Sequence, residues 1–253
     1  MRKIMFLMSF VVVSICTVTT LSAQGIQEKS LMLHHGSIKE IHSTLPTTIT
    51  VANDGSDAIE IVFPANVEPY LEIEIDKRDD ILSFDVIDEC ITRRELNAVL
   101  QKSPIRVRMS TAVLSDILNT SDMSITFEDG SVGEWFQVIN TGTLFVNGEV
   151  LNAKNKIEYY NTGTFTSQIK SYITDILCLT NTGFLYTKGT TTAKYVEQTS
   201  TGIENTDLVV CCNKLSITST GSGVIKYKGG ADDVEVMSTG RAKIHTSKLN
   251  SEQ

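Results

Sequence analysis

The amino-acid sequence predicts an all-β protein, a parallel β-helix in which the chain winds into a solenoid of stacked rungs, each rung being one circuit of about 20 residues. The first observation is a triplet, Asn-Thr-Gly or Ser-Thr-Gly, that recurs six times at nearly constant intervals. The second is that apolar and polar residues alternate on both sides of the triplets. Alternation with a period of two indicates strands with one buried face, whereas an amphipathic helix needs apolar residues three and four positions apart.

The N-terminus has the layout of an export signal. A short cationic start, Arg2 and Lys3, precedes the apolar stretch 4–16, and small residues up to Ala23 end the segment. This apolar run is too short for a membrane-spanning helix, which needs roughly 20 residues. We therefore expect residues 1–23 to be a signal peptide, and the mature chain to reach the periplasm, the outer-membrane surface or the extracellular space.

The charge balance argues against one class of partner. The chain carries 22 Lys and Arg residues against 30 Asp and Glu residues, and removal of the signal leaves 20 basic residues against the same 30 acidic ones. A protein that binds nucleic acid needs a basic face to displace counterions, so no nucleic-acid partner is expected. No second long apolar segment follows, which predicts a mature chain without a transmembrane segment.

Residues 24–253 are expected to form a single β-helix domain, with irregular N-terminal rungs and a cap at 24–117 and regular rungs at 118–246. In the first part, 53–57 (NDGSD) is expected to join a hairpin, and 92–102 to form a short helix or a decorated loop. The strands predicted there by alternation are TTITVA (47–52), AIEIVF (58–63), YLEIEID (70–76), ILSFDV (81–86) and IRVRM (105–109).

The triplets define the regular rungs. Their glycines lie 21, 20, 19, 19 and 19 residues apart, and a further step of 21 back from Asn140 reaches Asn119, so at least seven rungs are predicted. Neighbouring rungs of a β-helix are about 4.8 Å apart. The corner glycines are Gly142, Gly163, Gly183, Gly202, Gly221 and Gly240.

Two roles are predicted for the triplet. The glycine is expected at a corner that demands a positive φ angle, which glycine adopts without steric cost. The residue two positions earlier is in phase with the inward side chains and is expected to form an internal ladder of hydrogen bonds from rung to rung. The ladder residues are Asn119, Asn140, Asn161, Asn181, Ser200, Ser219 and Ser238.

Several segments together resemble a known bacterial family. TITVANDGSDAIEIVF (48–63), ILSFDV (81–86) and PIRVRMSTAVLSDI (104–117), followed by the S-T-G corners, are similar to the "putative auto-transporter adhesin, head GIN domain" family. The most specific match is STGSGVIKYKGGADDVEVMSTGRAKI (219–244). The resemblance implies a right-handed β-helix similar to pectin lyases, with an adhesin-like role. Asn-Thr-Ser at 119–121 departs from the family's usual Gly-rich turn.

No residue pattern predicts catalysis, a metal site or a cofactor. A lyase of this fold needs clustered acids for Ca²⁺ beside a base, and a hydrolase needs two carboxylates across the scissile bond. The outward acids Glu134 and Asp175 are two rungs apart. In the outward column that contains Glu158, acidic residues occur only on alternate rungs. Adjacent Asp232 and Asp233 are typical of a plain turn. A carbohydrate-active enzyme that uses Glu158 or Asp175 is the alternative hypothesis.

Four cysteines follow the signal: Cys90, Cys178, Cys211 and Cys212. They lack the C-x-x-C spacing of zinc sites. Two hypotheses remain open, buried thiols or one bridge from Cys178 to the vicinal pair.

The outward aromatic residues Phe145, Tyr186 and Tyr160 are the candidate binding residues, because a solenoid offers long flat faces on which rings can stack against sugars. We expect an exported, non-enzymatic module of the cell envelope that binds a glycan or an envelope protein. A structural envelope scaffold is a second alternative, since an open end of the β-helix leaves an unpaired strand edge through which copies could associate.

Overall fold

The computed structural model of the chain describes residues 20–21, 27–34, 37–52, 54–87, 93–110, 113–128, 130 and 132–250. These residues form a parallel β-solenoid of about seven rungs, which confirms the predicted fold class. The strands are β1 (Thr20–Leu21), β2 (Gln27–His34), β3 (Glu40–Ser43), β4 (Thr47–Ala52), β5 (Ala58–Pro64), β6 (Leu71–Asp76), β7 (Ile81–Val86), β8 (Ile105–Ser110), β9 (Asp116–Asn119), β10 (Asp122–Phe127), β11 (Trp135–Asn140), β12 (Thr143–Asn152), β13 (Lys156–Asn161), β14 (Thr164–Ile173), β15 (Ile176–Asn181), β16 (Phe184–Thr192), β17 (Tyr195–Ser200), β18 (Ile203–Ser219), β19 (Ser222–Ser238) and β20 (Lys243–Leu249).

Helices are short. A 3-10 helix, Ala65–Tyr70, lies between β5 and β6, and α1, Arg93–Leu100, lies between β7 and β8. In the described ranges no helix has the length and apolar character to cross a bilayer. Most of the predicted signal peptide, residues 1–23, lies outside the described residues; Thr20–Leu21 within it pairs with β2.

Each regular rung has one strand on each of two faces, and the two strands meet at the triplet. On the first face, β9, β11, β13, β15 and β17 pair in parallel, followed by the second halves of β18 and β19. On the second face, β10, β12, β14, β16, the first halves of β18 and β19, and β20 pair in the same way. Asn140 is in register with Asn119 on one side and Asn161 on the other, as the repeat predicts.

The core consists of columns of inward side chains. In the column six residues before the corner glycine, Phe136, Ile157, Leu177, Val196 and Leu215 are at most 1% exposed. Burying such a side chain contributes about 1.5–3 kcal/mol, so these columns supply most of the favourable free energy of folding.

The asparagines of the ladder are brought together. The side-chain Nδ2 of Asn119 donates to Oδ1 of Asn140, Asn140 donates to Asn161, and Asn161 donates to Asn181, each at 2.8 Å. Each amide also donates to a backbone carbonyl at its own corner, as Asn140 does to the Gly142 oxygen at 3.1 Å. The buried amides therefore retain hydrogen-bond partners inside an apolar core.

The serine part of the ladder differs from the prediction. Asn181 reaches the Ser200 hydroxyl at 3.4 Å, but the buried Ser219 hydroxyl has no partner among the described residues, and Ser238 is exposed. A serine hydroxyl is shorter than an asparagine amide and does not span the interval between rungs. Ser238 is exposed because no further strand covers it. At the other end, Ser43 is in register with Asn119, but its hydroxyl bonds the Leu45 carbonyl and the Thr47 hydroxyl and does not extend the ladder.

The corner glycines do not have the predicted positive φ angles. Among glycines in the described residues, positive φ angles occur at Gly55, Gly189, Gly223 and Gly229. The reason for glycine at the corner is close approach of two backbones. A Cβ atom at Gly183 would lie 2.1 Å from the carbonyl oxygen of Gly163, and the other five corners have the same conflict at 2.1–2.3 Å.

The N-terminal part contains the predicted strands, but its rungs do not stack in chain order. The rung of β3 and β4 lies between the rung of β7 and β8 on one side and that of β9 and β10 on the other. Antiparallel strands then close this end, since β6 pairs with β7, β5 with β8, and β2 with β5. The expected hairpin at 53–57, of which Asn53 lies outside the described residues, is wrong, because the flanking strands β4 and β5 each pair with β8.

The C-terminal end is only partly covered. β20 pairs with the first half of β19, and the Asn250 side chain continues this pairing by accepting from the Ala231 N–H at 3.0 Å and donating to the Ala231 carbonyl at 2.8 Å. In the second half of β19 the inward side chains Val234 and Val236 are 37% and 42% exposed, because no further strand stacks on them.

Replacing a corner glycine by alanine tests the close approach. Gly183→Ala should lower the free energy of unfolding by about 3 kcal/mol, because the backbone of two rungs must separate to admit the methyl group. Gly230→Ala is the matched control, since its Cβ would meet only Asn250 Oδ1, at 3.7 Å. Urea unfolding followed by circular dichroism measures both, and equal midpoints for the two variants would contradict the explanation.

Removing one ladder amide tests the contribution of the ladder. Asn161→Ala should cost roughly 2–4 kcal/mol, because the buried Oδ1 of Asn181 loses its donor and the side chain leaves a space. Thr162→Ala, at the exposed neighbouring position, should change stability by less than about 0.5 kcal/mol. A loss for Asn161→Ala no larger than that of the control would show that the ladder does not stabilise the fold.

Candidate binding surface

The predicted binding residues fall on two different faces. Phe145 and Tyr186 both lie on the second face, in register through Thr166, and both are half-buried. Tyr160 lies on the first face and is 38% exposed. The three residues therefore do not form one site.

The first face carries a larger group of exposed rings. Trp135 and Tyr195 are 55% and 45% exposed, and they belong to one outward column, in which Lys156 and Ile176 lie between them. Three inter-rung steps separate the two rings, or about 14 Å. We call the surface formed by Trp135, Ile139, Tyr160 and Tyr195 around Glu158 the aromatic surface.

Trp135 and Tyr195 were not among the predicted binding residues, although the sequence carries a signal for them. Both stand seven residues before a corner glycine, Gly142 and Gly202 respectively, and an odd offset on this arm of the repeat points outward. The exposure of a Trp and a Tyr in one outward column was therefore available from the repeat alignment alone.

A hydrogen-bond network at Glu158 holds the middle of the aromatic surface. The 7% exposed Glu158 carboxylate accepts from Lys156 Nζ at 2.7 Å, Tyr160 Oη at 2.7 Å and Gln137 Nε2 at 3.4 Å. Lys156 Nζ also lies 5.9 Å from the centre of the Trp135 ring, within cation–π range. Burial raises the pKa of the Glu158 carboxyl, but the hydrogen bonds from Lys156, Tyr160 and Gln137 outweigh burial and leave the pKa lowered. Tyr160 and Lys156 are thus fixed in orientation by one ionised carboxylate.

The acids weighed for catalysis do not form a catalytic pair. Glu158 has a lowered pKa, whereas a general acid requires a raised one. Asp175 lines a shallow groove of about 770 Å³ at another corner of the rungs and forms an ion pair with Lys194 at 2.8 Å. Within the described residues no group of three His, Cys, Asp or Glu side chains is arranged to hold a metal ion.

The comparisons with known proteins agree with this architecture. The family model described as "Putative auto-transporter adhesin, head GIN domain" matches residues 38–253. The chain belongs to this family. The resemblance inferred from the sequence is thereby confirmed.

Solved structures similar to this member of the head GIN domain family share its fold at low sequence identity. A putative adhesin from Bacteroides fragilis NCTC 9343 is 17% identical, with a TM-score of 0.70 over 86% of this chain and 96% of that one. A putative adhesin from Parabacteroides merdae ATCC 43184 is 14% identical, with a TM-score of 0.58 over 86% and 95%. One from Parabacteroides distasonis ATCC 8503 is 13% identical, with a TM-score of 0.54 over 88% and 95%. No curated protein matches the chain.

The described cysteines are free thiols. Cys178, on the first face, and Cys212, at another corner, are buried, while Cys211 is exposed. The hypothesis of a bridge from Cys178 to the vicinal pair is wrong, and Cys90 lies outside the described residues. Burial raises the pKa of both buried thiols to about 11, so they are protonated at neutral pH and unreactive.

One acidic side chain, that of Glu204, is buried in the core. Glu204 occupies an inward column between Leu185 and Gly223, is 1% exposed, and neither carboxylate oxygen has a well-oriented hydrogen-bond partner among the described residues. Burial raises the pKa of this carboxyl, and nearby Ser200 and Gln198 offset the rise only in part. The folded state therefore binds the Glu204 proton more tightly than the unfolded chain does.

This buried acid predicts a pH-dependent stability. The raised pKa of Glu204 contributes to the free energy of unfolding. This contribution is fully present below the pKa of glutamate in the unfolded chain, about 4.3, and is lost as the pH rises through the pKa of Glu204 in the folded state. Glu204→Gln should remove this decline and raise the free energy of unfolding at pH 7 by at least about 1 kcal/mol. Urea midpoints from pH 4 to pH 8 measure the effect, with Glu74→Gln, at an exposed edge-strand position, as control. If both variants keep the wild-type pH slope, Glu204 is not the titrating group.

Proposed function

We propose that the chain is an exported, non-enzymatic module of the cell envelope that binds a glycan through the aromatic surface. The observation that supports this is the set of exposed rings on one parallel sheet, with Trp135 and Tyr195 in one column and Tyr160 beside them. Aromatic rings with a polar edge bind ligands that are apolar on one side and wet on the other, as sugar rings are. Membership of a family described as putative adhesins supports a binding role.

The polar groups between the rings favour a glycan over an envelope protein. Lys156, Tyr160 and Gln137 present polar groups that the buried Glu158 carboxylate holds in place at the centre of the surface, and the exposed Glu197 lies further along the column of Gln137 and Glu158. Stable protein interfaces instead have a core depleted in charged residues. An extended, linear glycan that crosses the rungs would contact both rings and the charged centre together.

A structural scaffold is the second candidate, favoured by the open C-terminal end. Val234 and Val236 are 37% and 42% exposed, and Met237 is 64% exposed, on an edge without a further strand in the described chain. Such an edge accepts another strand by main-chain hydrogen bonding. Sedimentation equilibrium distinguishes this role, which requires concentration-dependent association through that end.

A glycan array tests the proposed function. The mature protein should bind at least one glycan reproducibly, and Trp135→Ala and Tyr195→Ala should each weaken binding at least tenfold, as loss of about 1.4 kcal/mol or more at a central aromatic contact does. Urea unfolding of the same variants excludes loss of the fold. The double variant Phe145→Ala/Tyr186→Ala is the control on the second face and should bind as wild type.

The array separates the hypotheses. Loss of binding only in the Phe145 and Tyr186 variant would move the site to the second face. Turnover of a uronic-acid polymer that is abolished by Glu158→Gln would establish the enzyme alternative and contradict the proposal. Absence of any glycan signal, with association in sedimentation, would favour the scaffold.

A further inference from the structure

The asparagine ladder contains a repeated set of converging oxygen atoms. The amide nitrogen Nδ2 of each of the four ladder asparagines donates to three oxygens, which belong to its own rung and the next. For Asn161 these are the carbonyls of Gly163 at 3.1 Å and Phe184 at 2.8 Å, and Oδ1 of Asn181 at 2.8 Å. Each nitrogen therefore lies at the centre of a small buried group of acceptors.

The corner of Ser200 has the same backbone but no amide. The Ser222 N–H donates to the Gly202 carbonyl at 2.9 Å, the bond that recurs at every asparagine corner. By the register of the rungs, the oxygens that would surround an asparagine nitrogen here are the carbonyls of Gly202 and Ser222 and the hydroxyl of Ser219. A serine side chain is too short to reach that point. The Ser219 hydroxyl, in a residue that is 1% exposed, accordingly has no partner in the described chain.

A carboxylate reaches this corner from the second face. Glu204 lies close to Ser200, is 1% exposed, and is stacked between Leu185 and Gly223, which has no side chain. Neither of its carboxylate oxygens has a well-oriented partner in the described chain. Burying an ionised carboxylate is costly unless a positive charge lies beside it.

The buried polar groups near Glu204 supply no such charge. Gln198 Nε2 donates to Thr206 Oγ1 at 2.9 Å, and Tyr227 Oη donates to Gln198 Oε1. The hydroxyl proton of Ser200 and the second amide proton of Gln198 are the nearby donors that remain, and both belong to neutral groups. No basic side chain of the described residues contributes to the shift of the Glu204 pKa.

We propose that the Ser200 corner binds one monovalent metal cation, of the size of K⁺, inside the solenoid. Its ligands are the Glu204 carboxylate, the hydroxyls of Ser200 and Ser219, and the carbonyls of Gly202 and Ser222. All are oxygens, which hard cations prefer, and carbonyl oxygens can replace the hydration shell of K⁺. The cation takes the place that the amide nitrogen has in the earlier rungs. The site is separate from the aromatic surface and does not depend on the proposed function.

Charge and distance both favour a monovalent ion. A single carboxylate balances one positive charge, whereas a divalent ion would leave a net charge in the core. In the asparagine rungs the central nitrogen lies 2.8–3.4 Å from its acceptors, which is longer than the 2.3–2.6 Å of Ca²⁺ contacts. Because the Ser200 corner shares this backbone, a large ion of low charge fits without moving the rungs.

Urea unfolding of the mature protein in two salts tests this site. At pH 7 the equilibrium constant for unfolding should fall as K⁺ rises, by about tenfold for each tenfold increase once K⁺ exceeds its dissociation constant, as one site requires. Tetramethylammonium chloride replaces KCl to keep the ionic strength constant, because its cation is too large for the corner. Circular dichroism measures the unfolding.

Ser200→Asn is the decisive variant, because its amide supplies the nitrogen and continues the ladder from Asn181. It should be at least as stable as wild type in tetramethylammonium chloride and should lose the dependence on K⁺, as should Glu204→Gln. Ser238→Asn makes the same change at an exposed ladder position and should keep the wild-type dependence. In equilibrium dialysis after refolding with Rb⁺, which is close to K⁺ in size, wild type and Ser238→Asn should bind one ion more per chain than the other two variants.

A bound cation also changes the pH dependence of stability. The decline derived above for Glu204 describes the protein without a cation, so it is measured in tetramethylammonium buffers. K⁺ should lessen that decline and narrow the difference between wild type and Glu204→Gln, because a bound cation favours the ionised carboxyl in the folded state.

Two results would overturn the proposal. The first is an equal unfolding constant for wild type in KCl and in tetramethylammonium chloride, which would make Glu204 a protonated or hydrated acid in the core. The second is a K⁺ dependence that Ser200→Asn retains in full, which would place the cation elsewhere.

Discussion

The structure depends on the fixed register between successive rungs at the triplet corner. There the carbonyl oxygen of Gly163 accepts the backbone N–H of Phe184 at 2.8 Å, and the same contact recurs along the stack, as between the Gly183 oxygen and the Ile203 N–H. Beside it, the asparagine amides bond one another at 2.8 Å. Glycine is needed because a methyl group would occupy the space of the facing carbonyl. The backbone and side-chain contacts at one corner therefore fix the spacing of all columns.

Because the columns are fixed, the inward and the outward side chains have different roles. Inward columns hold the buried core, while outward columns repeat every rung at the inter-strand distance and are free to vary. On the first face this arrangement aligns Trp135 with Tyr195 across two intervening rungs and lets Glu158 hold Lys156 and Tyr160 from its own strand. A flat array of regularly spaced side chains suits an extended ligand better than a compact one.

The last rungs lack several features that recur in the middle of the solenoid. Serines replace asparagines in the ladder, Glu204 and Gly223 replace apolar residues in an inward column, and a bulge interrupts β20 beside Lys226. Each of these features weakens rung-to-rung cohesion. At the C-terminal end of the solenoid, polar and charged groups therefore replace part of the apolar packing.

The sequence predicted the features that depend on local patterns, and it did not predict those that depend on contacts between residues far apart in the chain. The triplet interval and the alternation determined the rungs, the inward columns and the asparagine ladder, because these depend on local periodicity repeated many times. The role of the corner glycines was predicted wrongly, since a φ angle is a local property and the actual cause is a carbonyl about 20 residues away.

Tertiary structure alone decided the remaining features. The placement of β3 and β4 between later rungs could not be predicted from the sequence, because pairing between strands far apart in the chain is not contained in local periodicity. The candidate surface was partly predictable: Tyr160 was identified, and Trp135 and Tyr195 were readable from the outward phase. The hydrogen bond between Gln137 and Glu158 required the register, since it joins side chains of two strands that only stacking brings together.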